Sequence, residues 1–345
     1  MTNQPETETL HMALLVQTGP LLDIYTINDK PFTGIATAYH SNLENPFDLS
    51  KFKTRTSFKQ GRKNGPIEWF YKNGQLRSRS NCINGKQEGL WEEFYENGQL
   101  QSRRICINGK LEGLWKDYHE NGQLKSIRNC INGKLEGLWK DYHENGKLKS
   151  RSNCINGKQD GLHESFHDNG QLRWIGNYKN NKQEGLWEQF HRNGQLRSRI
   201  NCINGKLEGL WERFYKHGQL RTIVNYKNGK LDGLSEFFLE NGQLISRENY
   251  KNEKQHGLWE ESYENGQLKS RRKYKNGLPD NPWEEFYDNG QLISRENYKN
   301  GRLDGLWECF HENGQLEHRQ NYKNGELDGV CKDFYENGQL RYRQN

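Results

Sequence analysis

The tetrapeptide Asn-Gly-Gln-Leu, or a close variant of it, recurs every 24 residues from Asn73 to Leu340. Its glycines are Gly74, Gly98, Gly122, Gly146, Gly170, Gly194, Gly218, Gly242, Gly266, Gly290, Gly314 and Gly338, twelve copies without a slip. Self-similarity at a fixed period of this length marks a repeat array. Each unit of such an array touches only its neighbours, so no thick central core is needed. The composition agrees, with 31% hydrophobic residues and a mean hydropathy of −1.18. Yet 10 Trp, 17 Tyr and 14 Phe sit at regular phases, which separates the chain from a disordered polar one. The alanines, Ala13, Ala36 and Ala38, all precede the array, and helix-favouring stretches are scarce after them.

Each unit holds two Asn-Gly dipeptides flanked by aromatic and apolar residues, as in Leu90 to Gly113. Asn-Gly is a strong hairpin signal, because a type I′ turn needs positive φ at both central residues. The unit therefore predicts two strands and two tight turns, and every repeat adds a hairpin to an antiparallel meander. Two-residue loops at Asn97-Gly98 and Asn108-Gly109 would set Glu96 against Gln99, Tyr95 against Leu100, Glu92 against Arg103 and Cys106 against Leu111.

Side chains alternate between faces. Trp91, Glu93, Tyr95, Leu100, Ser102, Arg104, Cys106 and Leu111 then share one face. Leu90, Glu92, Phe94, Gln99, Gln101, Arg103, Ile105 and Glu112 share the other. On the second face Glu68–Arg79, Glu92–Arg103, Glu188–Arg199, Glu236–Arg247, Glu260–Arg271, Glu284–Arg295 and Glu308–Arg319 are expected to pair directly, at about 0.2–1 kcal/mol each. The two turns divide the unit unequally, which staggers equivalent positions. Strong coiling of the sheet, a bulge at the glycines 89, 113, 137, 161, 185, 209, 233, 257, 305 and 329, or a longer second turn would each absorb the offset. At ~10 Å per hairpin the array would reach on the order of 115 Å before twist.

A glycine, an aromatic cluster, Asn-Gly-x-Leu and then Tyr-x-x-Gly-Lys-x-x-Gly resemble the second variant of the MORN repeat, which occurs in YwqK-type antitoxin-like and other bacterial repeat proteins. Gly233 to Leu244 followed by Tyr250-Lys251-Asn252 is a close example. The resemblance covers residues 58–345. It implies an all-β, elongated twisted sheet or solenoid of hairpin repeats, with roles in scaffolding, dimerisation and, for some members, membrane-lipid association. Asn181 and Glu253 replace the second-turn glycine, Asn281-Pro282 replaces Gly-Leu, and His163, Ser235 and Cys331 replace Trp. Local irregularity is expected around residues 277–283.

Residues 1–57 fall outside the strict period and read as an atypical cap. A degenerate half-repeat lies near 25–40, with Ile27 to Gly34 as its turn and Tyr39 near the aromatic phase. Leu10 to Ile27 is placed to cover the first edge or the apolar face, and residues 1–8 read as a floppy leader. The chain ends at Asn345 just after a hairpin, so an exposed last strand is expected. The net charge of +6 is mild and no long like-charge run occurs, which speaks against a nucleic-acid arm. No 18-residue apolar segment exists, and the acidic start is wrong for a secretory signal. A soluble, cytoplasmic protein is expected.

Cys82, Cys106, Cys130, Cys154 and Cys202 share one phase with Tyr178, Tyr226, Tyr250, Tyr274, Tyr298 and Tyr322, so they read as small buried hydrophobes. Their spacing of ~10 Å excludes disulfides. The same spacing keeps His119, His143, His167, His191 and His311 from sharing a metal. No Gly-Lys pair lies in a phosphate-binding loop, so no catalytic, cofactor or metal site is expected. The reading is a non-catalytic scaffold for protein–protein interaction, with Trp91, Tyr95, Trp115, Trp139, Trp187, Trp211, Trp259, Trp283 and Trp307 as the contact face. An unknown protein partner, self-association, or both would occupy it. The alternatives are an antitoxin-like neutraliser of a partner and a peripheral module for membrane lipid or nucleic acid.

Overall fold

The computed structural model describes residues 9–11, 16–18, 24–28, 30–39 and 52–344, and every regular element among them is a β-strand. By internal contacts the chain divides into two compact units, residues 1–170 and 171–345. Both are antiparallel meanders of the expected hairpins.

In the first unit, strands Leu76–Ile83, Gly89–Phe94, Leu100–Ile107, Lys110–Tyr118, Leu124–Ile131, Gly137–Tyr142, Leu148–Ile155 and Lys158–Phe166 follow one another. The second Asn-Gly of each repeat is a type I′ turn: Asn108 and Gly109 have φ of 52° and 76°, and Ile107 pairs with Lys110. Asn181 and Glu253 hold φ of 65° and 66° where the other repeats have glycine.

The first Asn-Gly differs from expectation. Gly98 alone is left-handed, at φ 85°. Its N–H donates to Tyr95 O at 2.9 Å, and the Tyr95 N–H donates to Gln99 O at 2.8 Å. Phe94 faces Leu100 across a bulge, so the Tyr95–Leu100 and Glu96–Gln99 pairings do not occur. The cause is local. Asn97 Oδ1 accepts the Gln99 N–H at 2.9 Å, an Asx turn that the two-residue loop could not make.

A second bulge answers the stagger. Arg103 faces Lys116 whereas Ile105 faces Glu112, so the partner strand advances by two extra residues around Gly113, whose φ is 70°. The glycine takes up the offset because an L side chain there would be strained. The same register runs through Asn281-Pro282, where Arg272 faces Trp283 and Lys273 faces Asp280. On the other side, pairing with the next strand begins only at Trp283↔Glu296, without the two pairs that Gly257-Leu258 and Gly305-Leu306 make at these positions, so the irregularity expected at 277–283 is seen there.

Neighbouring repeats are tied by contacts between their second turns. The Asn108 N–H donates to Glu88 Oε2 at 2.8 Å, and the Gly109 N–H donates to Gln87 O at 2.8 Å. Asn132 with Glu112 and Asn156 with Glu136 repeat the first of these. In the second unit, Asn204 with Glu184 and Asn228 with Glu208 do so again.

The N-terminal segment carries a divergent hairpin. Gly34–Tyr39 pairs with Phe52–Lys59, from Gly34↔Phe58 to Tyr39↔Phe52, in the register that joins Gly65 to Cys82 and Phe70 to Leu76. Thr9–His11 pairs in parallel on its outer edge, so Leu10 and His11 of the segment expected to cover that edge do so, whereas Val16–Thr18 and Ile24–Ile27 form a separate antiparallel sheet with Lys30–Pro31. Ile27 faces Lys30 across the half-repeat turn. Phe32, Ala36 and Phe58 form a small core there, with Tyr25 and Ile27 packed on it. The leader expected at residues 1–8 lies outside the described residues.

Candidate interaction surface

The in-phase cysteines, Cys82, Cys106, Cys130 and Cys154 in the first unit and Cys202 in the second, are 1–3% exposed. Burial raises their thiol pKa values, as expected of inert packing groups. Ser102 and Ser126, also buried on the face of the first-unit cysteines, leave room for the indoles.

Trp91, Trp115 and Trp139 are half-buried. The Arg104 guanidinium lies 4.1 Å from the Trp91 ring centroid and 5.1 Å from that of Trp115, a cation–π stack running across repeats. In the second unit the equivalent repeat phases carry aromatic contacts. Tyr250, Trp259, Tyr274, Trp283 and Tyr298 touch in succession, with centroids 4.8–5.5 Å apart. Trp211 meets Tyr226 at 6.0 Å, and Trp307 meets Tyr322 at 6.2 Å. Trp187 is 4% exposed. Its indole covers Gly176, where an added Cβ would come within 2.3 Å of the ring. These tryptophans thus pack lengthwise against their own repeats.

Tyr95 has a different task. Its hydroxyl donates to Tyr118 O at 2.8 Å, one repeat on. Burial, with Glu120 and Asp117 nearby, raises its pKa and keeps the phenol a donor. Tyr71, Tyr215, Tyr263 and Tyr287 make the same bond at 2.8–3.1 Å. His119, His143, His191 and His311 reach the equivalent carbonyls through Nε2 at 3.0–3.3 Å. The Tyr/His alternation in the sequence follows from this: either ring can put a donor at the next repeat's carbonyl.

The opposite face carries the charge ladder and the most exposed apolar groups. All seven expected Glu–Arg positions are directly paired. Ion pairs form at Glu92–Arg103 (2.7 Å), Glu236–Arg247 (2.8 Å), Glu260–Arg271 (3.0 Å), Glu284–Arg295 (3.0 Å) and Glu308–Arg319 (2.6 Å). Arg79 and Arg199 reach instead to the following repeat, to Glu92 at 2.5 Å and to Glu212. Glu92, 1% exposed, is held from both sides. Burial opposes its ionisation, but the hydrogen bonds from Arg79 and Arg103 outweigh burial and lower its pKa.

Beside this ladder in the first unit stand Leu90, Leu114, Leu138 and Leu162, 45–53% exposed. Ile83, Ile107, Ile131 and Ile155 are 47–51% exposed, each facing an exposed lysine across its turn: Lys86, Lys110, Lys134 and Lys158. In the second unit Leu186, Ile203, Leu210, Leu278 and Leu306 are exposed likewise. Sequence reasoning missed this row by ranking faces on aromatic content. The signal was present, because Leu and Ile recur at those phases without polar replacement through most of the first unit.

A second group was also hidden by linear spacing. His318, Cys331 and Asp333 bring ligand atoms within 4.8 Å of one another.

A family model for a MORN repeat variant matches twelve segments: 63–84, 87–104, 111–132, 135–156, 159–180, 183–204, 207–228, 231–252, 255–276, 279–300, 303–324 and 327–345. No curated protein matches the chain. Among solved structures, the crystal structure of TcdB2-TccC3 shares 10% identity at a TM-score of 0.17, over 84% of this chain and 18% of that one. The TcdB2-TccC3-Cdc42 crystal structure shares 11% at 0.17, over 88% and 20%. The Photorhabdus luminescens Tc holotoxin pore shares 12% at 0.17, over 84% and 17%. The chain spans a fifth or less of those chains, and at such scores nothing about its function follows from them.

Proposed function

The chain belongs to the MORN repeat variant family, and from that premise we propose that it is a non-catalytic scaffold that binds a partner protein along the Leu/Ile row of its first unit. The observation that carries this is the periodic exposure of Leu90, Leu114, Leu138 and Leu162 beside Ile83, Ile107, Ile131 and Ile155. Repeated large apolar groups in water mark contact surfaces. The flanking Lys86, Lys110, Lys134 and Lys158 suit an apolar patch bordered by carboxylates. The Trp line supports the array from within, since its rings are already engaged with each other and with Arg104. Seven unpaired thiols favour a reducing, intracellular setting.

The test is affinity capture from lysate of the native source at high salt, with wild type beside a Leu114→Glu/Leu138→Glu double variant. A stoichiometric protein retained by wild type and lost by the variant, with both circular dichroism spectra alike, supports the reading. Equal retention by both overturns the assignment of the surface. Recovery of the chain alone would favour self-association. An antitoxin-like role predicts a toxic partner in the capture, and a lipid or nucleic-acid module predicts salt-sensitive binding instead.

A further inference from the structure

Cys309 and Cys331 are the two cysteines of the chain outside the buried cysteine phase, and both lie beside His318. Cys309 is His318's direct cross-strand partner on one side, and Asp333 is its partner on the other. Cys331 stands two residues before Asp333 on the same strand, Cys331–Phe334, and so on the same face.

The repeat pattern makes this convergence conspicuous. Position 331 belongs to the phase that holds Trp at 91, 115, 139, 187, 211, 259, 283 and 307, and position 318 to the phase that holds Ser at 78, 102, 126, 150, 198, 246, 270 and 294. Both depart together on neighbouring strands, and replacing an indole by a thiol opens the space between them. His318 Nδ1 lies 2.7 Å from Asp333 Oδ1, and Nε2 lies 3.2 Å from Gln320 Oε1. The Trp307 ring, 5.1 Å away, walls the imidazole.

We propose that His318, Cys331 and Asp333 form a binding site for a thiophilic divalent cation of the zinc class. A thiolate, an imidazole and a carboxylate match zinc chemistry and exclude calcium or magnesium as the preferred ion. The ligand atoms already lie within 4.8 Å of one another. In a tetrahedral zinc site, with bonds of about 2.0–2.3 Å, they would lie about 3.4–3.6 Å apart. The His318–Asp333 pair opens slightly and the Cys331 side chain turns inward. The thiol proton passes to solvent as the thiolate binds, and water takes the fourth position. The ion clips strand Cys331–Phe334 to strand Leu316–Lys323.

The test uses the full-length chain, reduced and freed of metal with chelator, titrated with Co²⁺ as an optical probe and then with Zn²⁺. The expected result is a thiolate-to-cobalt charge-transfer band that saturates at one equivalent and is displaced by Zn²⁺. Cys331→Trp and His318→Ser restore the residues usual at those phases, so both should keep the fold by circular dichroism. Cys331→Trp should abolish the band, and His318→Ser should raise the Co²⁺ dissociation constant at least tenfold. No thiolate band in wild type, or an undiminished band in Cys331→Trp, overturns the site.

Discussion

Tyr95 illustrates how single residues hold this molecule together. A carbonyl only accepts, so a ring-borne donor at this position satisfies it, and Tyr and His both supply one, whereas Leu239 keeps the turn without that bond. Tyr95→Phe keeps the ring and leaves Tyr118 O without that bond. It should cost about 1 kcal/mol in urea unfolding and leave partner capture intact. Glu92 is the corresponding charged case. Its lowered pKa means that its contribution is present above the unfolded-state value of about 4.3. That contribution is lost as pH falls through the lower folded-state value. Glu92→Gln should therefore be about 1–2 kcal/mol less stable than wild type at pH 7, a figure kept small because Arg79 and Arg103 are half-exposed. The difference should shrink towards zero in strongly acidic buffer. An unchanged difference at low pH would show that the carboxylate charge is not what matters.

Strands and turns are where the sequence was most and least legible. The 24-residue period, the second Asn-Gly turn and the Glu–Arg register follow directly from residue types, because type I′ turns and cross-strand charge leave a local mark. The first Asn-Gly turn was misread, since the same dipeptide serves an Asx turn with a bulge when its own side chain caps the next backbone N–H. The hydrogen bond from Gln99 to Asn97, the single left-handed residue Gly98 and the Phe94–Leu100 pairing separate the two. The Leu/Ile row escaped for a different reason: burial depends on how far each indole covers its neighbours, which pattern alone does not encode. Gly176 shows that coupling between elements. Gly176→Ala drives a methyl into the Trp187 indole and should destabilise the second unit by about 1–3 kcal/mol. A Gly176→Ala/Trp187→Leu double variant, with the indole gone, should regain part of that loss in thermal unfolding.

At the scale of the whole chain, stability is spread over many nearest-neighbour interfaces, as in other repeat arrays. Local damage in one repeat should stay local, which lets individual surface residues change without loss of the fold. That property suits a scaffold, and it makes the surface testable residue by residue. The divergent N-terminal hairpin and the parallel strand Thr9–His11 cover the first edge of the meander, whereas among the described residues Leu340–Gln344 is paired with Cys331–Phe334 alone and exposed, as expected of the last strand; the Leu/Ile row is the surface proposed for a partner. The most direct measurement is hydroxyl-radical footprinting of the free chain and of its complex with the captured protein. The account predicts protection at Leu90, Leu114 and Leu138 and at Ile107 and Ile131, with Trp115 and Trp139 unchanged. Protection at the tryptophans with the Leu/Ile row still reactive would contradict it.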